Sequence, residues 1–263
     1  MDGIQIRECA TIDEFDSCIR LQREVFGLPD LEVSPRRHLI VSRQAGGWTL
    51  GAFVAERLVG FVHQMAAVDE NTIFGYSHMM AVEPDYQNKG VGAQLKWSQR
   101  ARAINEGRNF IKWTWDPMQA RNAYFNLNRL GVTVRSYAAN FYGTDYATSP
   151  LPKGTRPPGI DSDRLFAEWQ LESARVMKLA QGASPLIDGP AATAIQIPAD
   201  WTSLCKQNPR VARQEQLRVR TEFQNAFAGG LVCAGFHRST EQPRYLLYEA
   251  QACLVHEASP KGK

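Results

Sequence analysis

Residues 3–8 (GIQIRE) alternate apolar and polar side chains, the period-two mark of a half-buried strand. Directly after them, Ile12, Phe15, Cys18 or Ile19, Leu21 or Gln22, Val25 and Phe26 recur at helical spacing, with Thr11 or Asp13 as the cap and Gly27-Leu28-Pro29 as the stop. A second helix is predicted from Ser34-Pro35, where proline suits the first turn, to Gly46-Gly47. Strand-like runs follow at 48–55, 58–68 and 74–82, and a tight Glu56-Arg57 turn makes the first two an antiparallel hairpin. The pattern then predicts a helix over 92–106 closed by Gly107, a strand over 110–115, a helix over 119–130 and an extended segment over 132–142. That order, β-α-α-β-β-β-α-β-α-β, predicts an α/β (α+β) fold with a mixed sheet and helices on both faces.

Periodicity stops over the Pro- and Gly-rich stretch 148–162, which reads as a linker or long surface loop after a first domain at 1–147. Beyond it come a strand at 164–171, a helix at 173–181, a short strand at 193–197, a polar helix at 209–227 and a hairpin of 231–237 with 245–249. These predict a C-terminal α/β extension over 163–257, open to reading as a degenerate half-copy of the first domain, although no short-period repeat stands out. The tail 258–263 is expected to be disordered.

Composition narrows the field. With 263 residues, 44% hydrophobic and 22% charged, the chain can bury a core without disulfides or metals. The formal net charge of +3 is dispersed, which argues against a nucleic-acid partner. Cys9, Cys18, Cys205, Cys233 and Cys253 are scattered with no C-x-x-C pair and read as reduced thiols. No His, Cys, Asp or Glu grouping has metal-ligand spacing, so no metal is expected. The N-terminus MDGIQIRECA lacks a signal-peptide pattern and no run is long enough to span a membrane, so the expectation is a soluble, cytoplasmic protein without a membrane partner. A homodimer stays open.

The stretch that carries chemistry is 77–102, SHMMAVEPDYQNKGVGAQLKWSQRAR. A strand ends at Val82, turns through Glu83-Pro84-Asp85 and enters a helix through Gln87-Asn88-Lys89-Gly90-Val91-Gly92. Two glycines at such a junction let a phosphate approach backbone N–H groups that are unpaired at a helix start and lie at the positive end of its dipole. Lys89 and Lys96 are placed to add cationic contacts. The loop is not a P-loop, for it lacks G-x-x-x-x-G-K-[ST], and it lacks the third glycine of a dinucleotide fingerprint. A pair of glycines is also what a simple tight turn needs.

The wider pattern Val82-x-Pro84-x-Tyr86-Gln87-x-x-Gly90-x-Gly92-x-x-Leu95 resembles the acetyl-CoA-binding motif of the GNAT superfamily, a Q/R-x-x-G-x-G/A loop after a strand. The resemblance covers roughly the first half of the chain and implies a GNAT acyl-CoA N-acyltransferase fold there. It implies that backbone N–H groups along Gln87, Asn88, Lys89, Gly90, Val91, Gly92 and Ala93 hold the CoA pyrophosphate. It also implies that the strand edge Met80, Ala81 and Val82 pairs with the pantetheine arm, one of its N–H groups polarising the thioester carbonyl. A second run, 113–131 (WTWDPMQARNAYFNLNRLG), is similar to a GNAT subgroup of predicted acetyltransferases with a C-terminal extension. Some relatives of that subgroup are regarded as N-succinyltransferases of amino acids.

Amine acylation asks for a base to free the attacking amine and for help to the leaving thiolate. His78 is the candidate base, because an imidazole titrates at about pH 6.5 and strand alternation puts Tyr76, His78 and Met80 on one face. Some arylalkylamine-acetylating GNAT enzymes carry a histidine at the corresponding position. A hydrogen-bonded core histidine is the equal alternative. Glu83, at a strand end beside a turn, is expected to face solvent. Many GNAT enzymes take their acid from a tyrosine four residues before a helix-ending glycine; counted back from Gly131 that position is Leu127, and Tyr124 lies one turn earlier as the substitute candidate. Asn122 and Asn126, four apart, are expected on one helix face toward CoA or the acceptor.

The expectation is therefore an N-acetyltransferase that moves an acetyl or other short acyl group from acyl-CoA to a primary amine of a small metabolite or amino acid, in a ternary complex. Succinyl-CoA as donor to amino acids is a rival within the class. A non-catalytic CoA-binding or sensing module, favoured by Leu127, is the rival from another class.

Overall fold

The computed structural model describes residues 3–28, 30–70, 72–143, 159–183, 187 and 189–257. Most of the expected linker and the whole of the expected tail lie outside the described residues. The chain forms two compact units, one within Met1–Lys112 and one made of Trp113–Tyr146 with Arg156–Lys263.

The first unit opens with β1 (Ile4–Glu8) and α1 (Ile12–Phe26). Thr11 caps the helix: its hydroxyl accepts from the Glu14 N–H at 3.3 Å, while the Glu14 carboxylate accepts from the N–H groups of Thr11 at 3.0 Å and Ala10 at 2.7 Å. This reciprocal box satisfies donors that a helix start leaves bare. Next come α2 (Arg36–Gln44), β2 (Trp48–Val54), β3 (Arg57–Asp69), β4 (Thr72–Val82), α3 (Val91–Asn105) and the start of β5 (Phe110–Trp115). Strands β1 to β4 pair antiparallel in succession and β4 pairs parallel with β5, giving the mixed sheet expected from the sequence.

Both faces of this sheet are covered. On one, Phe15, Cys18 and Leu21 of α1 and Leu39 of α2 pack on Phe53, Phe61 and Ala81. On the other, Val91 and Leu95 of α3 pack on Leu50, Val62 and Val82. Each such side chain contributes about 1.5–3 kcal/mol on full burial, which is what holds the helices to the strands.

One irregularity positions the site. His63 pairs with Met79, but the next β3 residue, Gln64, pairs with Ser77, so His78 is the extra residue of a β-bulge. An inserted residue reverses the side-chain phase beyond it. Accordingly Met79 packs with the α1 cluster and Met80 with the α3 cluster. The β4–β5 ladder, Gly75 with Ile111 and Tyr76 with Lys112, stops just before the bulge.

In the second unit the end of β5 neighbours β7 (Arg164–Gln170), which pairs antiparallel with the short β6 (Tyr137–Ala138). The segment expected to be extended over 132–142 thus contributes β6 and isolated bridges from Thr133 to Glu168 and Val134 to Cys233. A three-stranded sheet combines β8 (Thr193–Gln196), β10 (Arg244–Glu249) and β9 (Leu231–His237), with the expected hairpin formed by β9 and β10. Four more helices complete this unit after α4 (Ala120–Tyr124): α5 (Ala174–Ala180), α6 (Trp201–Gln207), α7 (Pro209–Ala228) and α8 (Ala250–Glu257). Arg220 of α7 reaches the buried Asp163 carboxylate at 2.8 and 2.9 Å, and Asp163 also accepts from the Tyr137 hydroxyl and the Asn140 N–H.

Candidate functional site

The loop after β4 is built as a donor-lined turn. Its entry is a single 3₁₀ turn, Pro84–Tyr86, closed by the Gln87 N–H bonding to the Pro84 carbonyl at 3.1 Å. The Gln87 side chain donates back to the Val82 carbonyl at 2.8 Å and ties the loop to the strand end. Asn88 (φ 58°) and Gly90 (φ 83°) both adopt left-handed backbone, which swings the chain into α3. The first bond of that turn is donated by Gln94 to Gly90, at 3.0 Å, so the N–H groups of Val91, Gly92 and Ala93 form the open helix start. Asn88, Lys89 and Gly90 are exposed, and the Lys89 Nζ lies 5.8 Å from the Tyr86 ring centre.

Gly92 is the telling position. A Cβ there would sit 3.5 Å from Met80 Cε and 3.9 Å from Val82 Cγ2, ordinary contact distances, so packing does not demand a glycine. Gly90 is different: nothing lies within 4 Å of a Cβ, but its positive φ favours glycine.

Three of the five histidines gather on the opposite face of β4. The ring of His78 lies 5.6 Å from that of His38 on α2 and 6.2 Å from that of His63 on β3; His38 and His63 are 5.5 Å apart. His63 is fully buried, with Nδ1 2.8 Å from Thr49 Oγ1 and Nε2 3.1 Å from Ser42 Oγ. Burial, then the two neighbouring imidazoles, lower its pKa to about 3. His78 keeps a solvent-exposed edge, and its Nε2 lies 3.2 Å from Ser34 Oγ. Desolvation of the enclosed part of its ring, with His38 nearby, lowers its pKa to about 4. His78 is therefore neutral at pH 7, the form a base must have, while the lowered pKa makes it a weaker proton acceptor than a free imidazole.

Comparison with known proteins agrees with this geometry. The family described as Acetyltransferase (GNAT) domain matches residues 49–142. Residues 49–142 thus carry a GNAT acetyltransferase domain. Among solved structures, a GNAT-family protein from Desulfovibrio desulfuricans is similar in fold at 13% identity and a TM-score of 0.50, over 64% of this chain and 99% of that one. The ribosomal-protein-S18-alanine N-acetyltransferase from Escherichia coli is 14% identical at a TM-score of 0.49, over 64% of this chain and 94% of that one. A GNAT family acetyltransferase from Elizabethkingia anophelis, solved with acetyl-CoA bound, is 16% identical at a TM-score of 0.48, over 65% and 99%. No curated protein matches the chain in sequence.

Several candidate residues sit otherwise than expected. Met80 does not share a face with His78, because the bulge intervenes; period two still keeps Tyr76 and His78 together. Lys96 does not reach the loop. It is buried behind β4, where its Nζ donates to Ser77 Oγ and Gln99 Oε1, each at 2.9 Å, and Gln99 in turn donates to Gln64 at 3.0 Å. Desolvation there lowers its pKa well below the usual lysine value. Glu83 is only 8% exposed rather than solvent-facing, and its carboxylate accepts from Arg57 and Arg20. The Gln87 N–H is already committed to Pro84, so the donors open to a ligand start at Asn88.

In the second unit, the helix expected over 119–130 breaks after Tyr124 into a π turn, Phe125–Arg129. The wider turn rotates the residues beyond it, so Asn122 is exposed while Asn126 is buried, and the two do not share an environment. Leu127 is fully buried. Tyr124 is half-buried with the Arg238 guanidinium 5.6 Å from its ring centre. Among the described residues no group of His, Cys, Asp or Glu is placed to hold a metal ion, and no helix is long and apolar enough to cross a membrane.

Proposed function

We propose that the chain transfers an acetyl group from acetyl-CoA to a primary amine of a small molecule, with the pyrophosphate of CoA on the N–H groups of Asn88 to Ala93. Gly92 carries this reading: the fold has room for a methyl group there, and a phosphate approaching the start of α3 does not. The strand edge Met80–Val82 runs into the loop directly and would carry the pantetheine arm.

The acceptor arrives as an ammonium ion. His78, neutral at pH 7, takes its proton, and the free amine nitrogen attacks the thioester carbonyl carbon. A backbone N–H of Met80–Val82 stabilises the oxyanion. As the tetrahedral intermediate collapses, the C–S bond breaks, the nitrogen gives its second proton to solvent water, and an amide and CoA thiolate remain. Ordinary thiols titrate at about pH 8.5, so the thiolate leaves without a dedicated acid and takes its proton from water. A buried Leu127 is compatible with that route.

Thermal unfolding with acetyl-CoA, succinyl-CoA and CoA tests the reading. Ligand at about a hundred times its Kd stabilises a fold by roughly 2.7 kcal/mol. A larger rise in Tm with acetyl-CoA than with CoA is expected; a larger rise with succinyl-CoA reassigns the donor, and no rise with any of them ends the proposal.

A further inference from the structure

We infer that a cavity between α2 and β3 is the acceptor pocket of this transferase, and that it selects amines bearing a carboxylate, held by Arg37. The inference rests on the proposed transfer for its chemistry, but the pocket itself is observed independently of it.

The cavity has a volume of about 420 Å³ and is lined by Arg37, His38, Val41 and Ser42 of α2 and by Met65 and Ala66 of β3. That volume falls within the range of small-molecule sites. Ser42 is bonded to Leu39 and His63, but two other polar side chains of the lining, Arg37 and His38, are less committed. Arg36 holds both oxygens of Asp16 at 2.8 and 2.9 Å, and Arg43 holds Glu8 at 2.9 Å. Arg37, between them on the same helix, is in no ion pair or hydrogen bond among the described residues. A guanidinium fork matches a carboxylate in shape and charge.

His38 supplies the second observation. Its Nε2 is buried and has no hydrogen-bond partner among the described residues, whereas buried polar atoms normally have one. That atom has no exposed surface, so a ligand N–H meets it only once the ring turns toward the cavity. The same ring lies 5.6 Å from that of His78, so an amine nitrogen held at His38 is beside the proposed base. Between the polar groups the wall is apolar: Val41 is 64% exposed, and Met65 and Ala66 also line the cavity. A ligand with a carboxylate, an amine and an aliphatic or aromatic body satisfies all three features. Free amino acids are that class.

The test uses the full chain, its Arg37→Gln variant, and a panel of apolar amino acids, in both enantiomers, beside the amines left by removing their carboxyl groups (leucine with isopentylamine, phenylalanine with phenethylamine). With acetyl-CoA, kcat/KM for the best amino acid is expected to exceed that for its amine at least tenfold, and Arg37→Gln to bring this ratio close to one. The variant should keep the wild-type Tm, since the exposed Arg37 side chain makes no ion pair or hydrogen bond among the described residues. Preference for the amine, or a ratio unchanged in the variant, overturns the inference. Binding is read separately, without acyl-CoA, from the ring resonances of His38 in histidine-labelled protein. A saturable shift caused by amino acids and lost in Arg37→Gln is expected. If no acyl-CoA binds yet that shift is present, the transferase reading fails while the carboxylate pocket stands. If acyl-CoA binds and no amino acid moves His38, the pocket assignment fails while the transferase reading stands.

Discussion

In Gly92→Ala the new Cβ lies 3.5 Å from Met80 Cε and 3.9 Å from Val82 Cγ2, close enough for favourable contact and not close enough to clash. Position 92 is in the first turn of α3 with ordinary helical backbone, where alanine outperforms glycine by about 0.5–1 kcal/mol. For a chain of this size that corresponds to a rise in Tm of roughly 1–4 °C. The same methyl group covers the open N–H groups of the helix start. Losing one hydrogen bond to a charged phosphate costs about 1.5–3 kcal/mol, or roughly ten- to hundredfold in Kd. The variant should therefore be as stable as the parent or more so, and bind acetyl-CoA at least tenfold more weakly. Gly90→Ala should behave in the opposite order: its φ of 83° costs an L-residue about 1–2 kcal/mol, so Tm falls first. Scanning fluorimetry for stability and titration calorimetry with acetyl-CoA for affinity separate the two. A Gly92→Ala protein that binds acetyl-CoA with parental affinity refutes the assignment of the cradle, and one that is markedly less stable refutes the packing argument.

Two further outcomes follow from the titrating groups. His78 is lowered toward about 4, so the acidic limb of kcat/KM should lie below the pH of about 6.5 expected of a free imidazole, and His78→Gln should cut turnover at pH 7 by at least about a hundredfold; a pH–rate profile of the parent with its limb near 6.5, or a variant of parental activity, removes His78 as base. Lys96 is depressed by burial, so between its folded pKa and about 10.4 the unfolded chain binds the extra proton and stability rises with pH. In Lys96→Met that rise should vanish, with little loss at pH 7 because Ser77 Oγ can turn to Gln99 Oε1, 3.5 Å away; Tm measured at pH 7 and pH 10 in both proteins decides it, and equal slopes contradict the argument.

The division between what was readable and what was not follows the range of the interactions. Thr11 and Glu14 announce the start of α1 because a capping box closes within one turn. The turn from Val82 into α3 was readable for the same reason: its glycines, its helix start and its donors all lie within a dozen consecutive residues. The face on which His78 lies was not, since the bulge exists only through the pairing of β4 with β3. Lys96 and Gln99 look like a solvated helix edge until Ser77 and Gln64 arrive from two strands to bury them. Asn122 and Asn126 seem to share a face until the π turn starting at Phe125 rotates them apart.

The sequence by itself determined the order of strands and helices, the phosphate-ready loop and the GNAT resemblance, because propensity, periodicity and turn chemistry act over a few residues at a time. Only the tertiary structure decided that His38, His63 and His78 meet, that Lys96 is hidden, and that Arg37 stands at a cavity with no ion pair among the described residues. Those facts depend on which distant segments pack together, and burial, pairing and the electrostatics of a site are properties of that packing rather than of any local run of residues.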